Sequence, residues 1–103
     1  MWLSEIPVLG KVFPLAEEGV LPGGSLRNAD HYSQFSQFDD SISKAERMVV
    51  FDAQTSGGLL IAIEPERQDD LLGELKEQNS PVAQVIGRVV EGSAGSMTIT
   101  RTR

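Results

Sequence analysis

With 9 Lys and Arg against 15 Asp and Glu, the 103-residue chain carries a net charge of −6. Its basic side chains are scattered among acids, which argues against nucleic acid as a partner. No Cys and a single His, His31, exclude disulfides, thiolate metal sites and a His-built metal centre within these residues. An apolar content of 40% is that of a folded chain. The longest apolar run, Leu59 to Ile63, is far short of the ~20 residues a membrane span needs, so a soluble, cytoplasmic unit without a membrane partner is expected.

In residues 6–18, Leu9, Val12, Phe13 and Ala16 recur at helical spacing, while Gly10 and Pro14 work against a long helix. A short or kinked helix stopped by Gly19 is expected. Pro22, Gly23 and Gly24 then read as a turn. Residues 29–47 are polar and poorly periodic, with Phe35 and Phe38 as candidate core anchors. Met48 to Phe51 is β-prone, and Leu59 to Ile63 reads as a fully buried strand. Glu64-Pro65-Glu66 opens a helix whose apolar side is Leu71, Leu72 and Leu75, ending at Asn79-Ser80-Pro81. Residues 82–90 and 96–101 read as two further strands. The expected class is α+β, a small mixed sheet with helices on one face, all in one unit spanning residues 1–103.

The stretch Asp52-Ala53-Gln54-Thr55-Ser56-Gly57-Gly58 is the most unusual local composition. Its glycines let backbone N–H groups approach an anionic ligand where no Cβ intrudes. Equally, Thr55 and Ser56 can close a self-hydrogen-bonded turn packed against a neighbour. The absence of a Walker-type Lys and the entry into a strand favour the second reading. Arg27 and Asn28, beside the Pro22-Gly23-Gly24 turn, are candidate anion contacts, although Arg27 is equally suited to holding loop carbonyls or Asp30. Asp39 and Asp40 are neighbours that point apart in an extended chain and make a poor metal site. His31 reads as a loop residue and Trp2 as a packing plug or a frayed end.

Together the two glycine segments are specific. Asp52 to Leu60 resembles the Asp-Pro-Gln-Thr-Ser-Gly-Gly-Leu-Leu element of selenophosphate synthetases, also called selenide, water dikinases, with Ala53 in place of Pro. Ile6-Pro7, Gly19 and Pro22 to Asn28 resemble that family's upstream pattern, and Val85 to Val89 its Val-Ile-Gly-x-Val strand. The resemblance covers residues 5–101 and implies a partial C-terminal domain of the aminoimidazole ribonucleotide synthetase-like fold. Ala53 and Pro14 depart from the pattern.

Enzymes of this family make selenophosphate from ATP, selenide and water, releasing AMP and phosphate. The resemblance implies ATP and magnesium for the complete enzyme and no cofactor held by this chain. The reactive Cys or selenocysteine, the catalytic Lys, the glycine-rich segment and the magnesium-binding Asp residues belong to portions not among these residues. No catalytic or metal-ligating residue is therefore assigned here, and the chain alone is expected to be inactive. Asp52, Gln54, Thr55, Ser56, Gly57 and Gly58 are carried over as a ligand-proximal or structural turn. The implied partner is the N-terminal ATP-binding domain or a second copy of the chain, covering apolar surface left open. A non-catalytic interaction domain that keeps the fold is the alternative, as is a fragment of another superfamily member. Gln54 to Gly58 favours the selenium branch.

Overall fold

Four short helices carry most of the regular structure in the computed structural model, which describes all residues from Met1 to Arg103. They are α1 (Val12–Glu17), α2 (Gly23–Tyr32), α3 (Lys44–Val50) and α4 (Gln68–Glu77). Two strands, β1 (Ser36–Phe38) and β2 (Met97–Ile99), pair in parallel with Phe38 opposite Ile99. The class is α+β, with the sheet reduced to this parallel pair.

Several local expectations hold. α1 is short and ends at Gly19, whose φ of 79° suits glycine. Pro14 falls in its first turn, where the missing N–H has no intrahelical acceptor to serve, so the helix survives it. Val12, Phe13 and Ala16 turn inward, whereas Leu9 stays exposed. A 3-10 turn at Pro65–Arg67 leads into α4, whose Leu71, Leu72 and Leu75 are half-buried. Asn79 ends the helix in the left-handed region at φ 56°, with the Ser80 N–H donating back to the Leu75 carbonyl at 2.9 Å.

Other expectations are corrected. Pro22-Gly23-Gly24 is not a free-standing turn. Pro22 is extended and the glycines form the first turn of α2, which runs on to Tyr32, into the start of the segment read as poorly periodic. Met48 to Phe51 is not β structure but the end of α3. Ser43 Oγ accepts from the Glu46 N–H at 3.2 Å, Glu46 Oε2 accepts from the Ser43 N–H at 2.7 Å, and this capping box outweighs the β preference of Val49 and Val50. Phe38 is an anchor, packed on the core and edge-to-face with Phe51 at 5.6 Å, but Phe35 is exposed.

The largest correction concerns the expected central strand. Leu59 to Ile63 is no strand, and Leu59 and Leu60 are 92% and 76% exposed. Residues 54–63 form no backbone hydrogen bond with any part of the chain. Residues 82–90 are likewise no strand: their one backbone–backbone bond is the Trp2 N–H donating to the Ile86 carbonyl at 2.8 Å, and Gln84 Nε2 donates to Glu5 Oε2 at 2.8 Å. An apolar run becomes a buried strand only if another strand and a second layer meet it, and these residues supply neither.

The core lies around the sheet. Leu3, Ile42 and Ile99 are buried together, with Met1, Ile6, Phe13, Phe38 and Val50 packed on them. The first residues complete it: the Leu3 N–H donates to the Thr100 carbonyl at 2.9 Å and the Thr100 N–H to the Met1 carbonyl at 3.0 Å, laying Met1 to Leu3 parallel beside β2. The Met1 ammonium donates to the Thr98 carbonyl at 2.7 Å, and its pKa is lowered by burial and by the nearby Arg88. Trp2 is thus packed, with the Arg103 guanidinium 5.2 Å from its ring.

This core is small for the chain. Only 6 of 103 residues are buried, and the accessible surface is 8078 Å². A folded monomer of 11.2 kDa exposes about 5,700 Å². Roughly 2,400 Å² of surface is therefore in excess of what a self-sufficient domain of this mass shows. The radius of gyration, 14.7 Å, exceeds the ~12.8 Å expected for this length in the same sense.

Candidate functional site

The two glycine segments, 25 to 30 residues apart in sequence, meet where the first turn of α2 touches the chain leaving α3. Ser25 is fully buried there. Its Oγ donates to Asp52 Oδ1 at 2.8 Å and accepts from the Ala53 N–H at 3.2 Å. One hydroxyl thus uses both capacities in a dry contact, which makes the junction directional. One turn further along α2, Asn28 Nδ2 donates to the Phe51 carbonyl at 3.0 Å, capping an open acceptor at the C-terminal end of α3.

Gly24 explains why a glycine opens this helix. A Cβ there would lie 2.6 Å from the Ala53 Cβ, so any side chain forces the junction apart. Sequence reasoning missed Ser25 as the hub of the site. The signal was present in Gly-Gly-Ser, a small residue that permits close approach followed by a hydroxyl suited to fasten it.

The remaining candidates fall on two sides of this junction. Asn28 is drawn into it, whereas Arg27 stays exposed beside it. The Arg27 guanidinium folds back over the start of α2, with Nη1 3.6 Å from where a Gly23 Cβ would sit. It is exposed and joins neither of the two ion pairs, so it is not spent on Asp30. Beyond Asp52, the residues Gln54, Thr55, Ser56, Gly57 and Gly58 lie in an exposed stretch. The Gln54 side chain folds over Gly57, occupying the space a Cβ would need. Thr55 and Ser56 make no hydrogen bond through their hydroxyls, which are left facing solvent above the junction.

Beside Asp52, α2 and α3 border an open groove of about 470 Å³ lined by Asn28, Tyr32, Phe35, Val50, Phe51 and Met97, among others. Its wall is largely apolar, with Asn28 and Asp52 at one end. His31 stands outside it, edge-on to Tyr32 at 4.7 Å. It belongs to α2, not to a loop. No three His, Asp or Glu side chains converge anywhere in the chain. Asp39 is engaged locally: its Oδ1 accepts from the Ser41 N–H at 2.8 Å, and that bond is the main cause of its lowered pKa. No helix is long and apolar enough to cross a membrane.

Away from the junction, a charged clamp ties the end of the chain to α3. Arg101 donates to both carboxylate oxygens of Glu46, at 2.9 and 2.8 Å, and also to the Ser41 backbone carbonyl. The Arg101 hydrogen bonds, with support from the Ser43 N–H and against partial burial, hold the Glu46 pKa down to about 2. The clamp makes the C-terminal residues after β2 part of the same body as α3.

Comparison with known proteins places the chain among relatives over most of its length. The chain matches the model of the AIR synthase related protein, C-terminal domain, over residues 24–100, a stretch that contains the whole Gly24–Ser25–Asp52–Ala53 junction. It is 38% identical to a selenide, water dikinase of Pelobacter propionicus over 88 residues, 85% of this chain and 25% of that protein. A selenide, water dikinase of Rhizobium meliloti is 36% identical over 89% of this chain and 26% of its own length. One of Carboxydothermus hydrogenoformans is 30% identical over 98% of this chain and 29% of its own. No solved structure matches. The chain thus spans about a quarter of the length of these relatives. Because the matched stretch covers most of the chain and both of the segments that meet at Ser25, the chain belongs to the AIR synthase related protein family, as a segment of its C-terminal domain.

Proposed function

We propose that this chain is the supporting C-terminal segment, an incomplete domain, of an ATP-dependent selenide, water dikinase that makes selenophosphate, and that it does no chemistry alone. The observation that carries this reading is the Ser25–Asp52–Ala53 junction. It locks together the two segments that resemble the family, and it leaves Arg27 and the Thr55 to Gly58 stretch exposed nearby. In that arrangement a free guanidinium and solvent-facing hydroxyls are available to an anionic group presented by another part of the enzyme. The residues present do not fit a magnesium site, since no set of three carboxylates or His converges. No catalytic step is assigned to this chain through the metal.

The partner of this reading is the ATP-binding portion of the same enzyme, and its setting is the cytoplasm. The excess surface supports the need for such a partner. The test is reconstitution. The chain alone, given ATP, magnesium and selenide, is expected to release no AMP above background. Adding the portion of the Pelobacter propionicus relative that this chain does not match is expected to restore AMP release. Turnover by the chain alone at the rate of a complete synthetase, or no restoration despite demonstrated binding of the two parts, overturns the proposal. An Arg27→Ala chain that restores turnover fully removes the anion-contact role while leaving the supporting role standing.

A further inference from the structure

We infer that the groove beside α2 and α3 receives an arginine side chain from the portion of the enzyme outside these residues, with Asp52 as its counter-charge. The inference rests on the reading of this chain as a segment of a larger enzyme. Asp52 is fastened through one oxygen only. Its Oδ1 accepts from Ser25 Oγ at 2.8 Å, while Oδ2 meets no donor in the chain. Because every buried side-chain nitrogen or oxygen has a partner, that second oxygen is open to solvent. Around it the backbone is held firmly. Asn28 Nδ2 donates to the Phe51 carbonyl, and Ser25 Oγ donates to Asp52 and accepts from the Ala53 N–H, so α2 fixes three successive residues of the chain leaving α3. The open carboxylate oxygen is thus set in place before any partner arrives.

The wall of the groove narrows what can fill it. It has a volume of about 470 Å³, that of a ligand-sized cleft, and Asp52 is its one charged residue, with no Lys or Arg among its lining. The rings of Tyr32, Phe35 and Phe51 and the apolar side chains of Val50 and Met97 form the rest of the surface used here. Any occupant that covers this surface takes the Asp52 carboxylate out of water, which is strongly unfavourable unless a counter-charge comes with it. A purely apolar segment is therefore a poor occupant, and an anion is repelled. No set of three carboxylates or His converges here to hold a metal ion. A guanidinium meets every feature at once. Its planar fork donates to Asp52 and to the Asn28 amide oxygen, the acceptor left over once Nδ2 serves Phe51. Its face rests on a ring and its aliphatic stem covers the apolar wall. The chain itself uses this chemistry twice, with the Arg47 guanidinium 5.3 Å from the centre of the Phe38 ring and that of Arg103 5.2 Å from the Trp2 ring. Its own Arg27 does not serve Asp52, because that guanidinium folds back over Gly23. A lysine ammonium, a strongly hydrated point charge, uses the rings and the second acceptor less well.

The probe for the test is Nα-acetyl-arginine N-methylamide, titrated into the isotopically labelled chain near neutral pH and followed by NMR. It is expected to shift the Asn28 side-chain amide and the backbone amides of Tyr32, Phe51 and Asp52 in a saturable way. The lysine counterpart is expected to bind about fivefold more weakly or worse, and the citrulline counterpart, which keeps the shape and lacks the charge, to leave these signals unmoved. Asp52→Asn keeps an oxygen for Ser25 Oγ and removes the charge, and is expected to weaken binding of the arginine probe about tenfold. Tyr32→Ala, at an exposed ring, is expected to weaken it about threefold. Unchanged circular dichroism shows that each variant is folded, and the citrulline comparison, made on the unaltered chain, decides even if Asp52→Asn does not fold. With the complementary portion of the Pelobacter propionicus relative, Asp52→Asn is expected to weaken association about tenfold. Replacing the arginines of that portion one at a time by Gln is expected to reveal one at which Asp52→Asn adds no further loss. Equal binding of the arginine and citrulline probes, arginine binding untouched by both substitutions, or the lack of any arginine coupled to Asp52 overturns the inference. Association is read without nucleotide or turnover, so parts that bind and restore AMP release with no such arginine sink the inference and leave the functional proposal standing. Parts that never associate sink both.

Discussion

Two sets of apolar side chains of the same kind meet opposite fates in this chain. Ile42 and Ile99 are 1% and 0% exposed at the centre of a small core, while Leu59 and Leu60 stand in solvent. The difference is not hydrophobicity but company. Ile99 belongs to a strand flanked on one side by β1 and on the other by Met1 to Leu3, and the region is tied together by backbone bonds, the Ser43–Glu46 capping box and the Arg101–Glu46 clamp. Around Leu59 and Leu60 the chain supplies nothing to pair with. An apolar run states that burial is favourable; which residues provide it is a separate matter that the run itself does not decide.

The sharpest way to break this comparison is to truncate one residue from each set. Ile99→Ala removes buried methylenes and leaves a cavity under the sheet, and it is expected to lower unfolding stability by about 2–5 kcal/mol. Leu60→Ala, at the same loss of hydrophobic volume, is expected to stay within about 0.5 kcal/mol when measured on dilute monomer. Urea unfolding followed by circular dichroism checks both. Similar losses from the two substitutions would mean that the 59–63 run is buried in the isolated monomer after all.

The junction gives the next effect. Gly24 lies inside α2, where Ala is ordinarily the better helix former by about 1 kcal/mol. Because the new Cβ would meet the Ala53 Cβ, Gly24→Ala is expected instead to destabilise by about 1–3 kcal/mol. Ala53→Gly in the same chain is expected to recover most of that loss in a double-mutant cycle. Gly58→Ala, which meets nothing within 4 Å, serves as the control in the open region. Additivity of the Gly24 and Ala53 changes would dissolve the junction as a tight contact.

How much of this was legible in the sequence follows the same division. Where structure is set within a turn or two, the residues announced it: Gly19 ends α1, Pro65 and the acids open the way into α4, and Asn79 closes it. Ser43-Lys44-Ala45-Glu46 also carried a local signal, a capping box that explains why Met48 to Val50 is helical, yet the β preference of the valines masked it. At the site, the importance of both glycine segments was legible. That Ser25 is the residue joining them was not, since a buried hydroxyl can be recognised only once its two partners from a distant segment are in place. Leu59 to Ile63 and residues 82–90 read as strands because their composition is that of strands, and a ladder is a property of two segments, not of one.

The clamp sharpens the comparison through pH, because it acts only on the region that is locked. Glu46 has its pKa lowered from 4.5 to about 2, chiefly by its hydrogen bonds from Arg101. A carboxyl whose pKa is depressed by folding binds fewer protons in the folded state than in the unfolded one across that interval. Its contribution is therefore present in full above pH 4.5 and is lost as pH falls through the window down to about 2. Glu46 is partly open to solvent, so screening cuts the contribution to about 1 kcal/mol. Glu46→Gln is expected to flatten the fall in stability between pH 4.5 and 2 while changing little in the exposure of residues 54–63. Hydrogen exchange read residue by residue separates the two. Amides of α3 and β2 should lose protection on acidification in the unaltered chain and less so in the variant, whereas amides of 54–63, which have no backbone bond to lose, should exchange at their intrinsic, unprotected rate at both ends of the window. Equal acid sensitivity with and without the Glu46 carboxylate would mean that packing around Ile42 and Ile99, not the clamp, holds the chain's C-terminal end against α3.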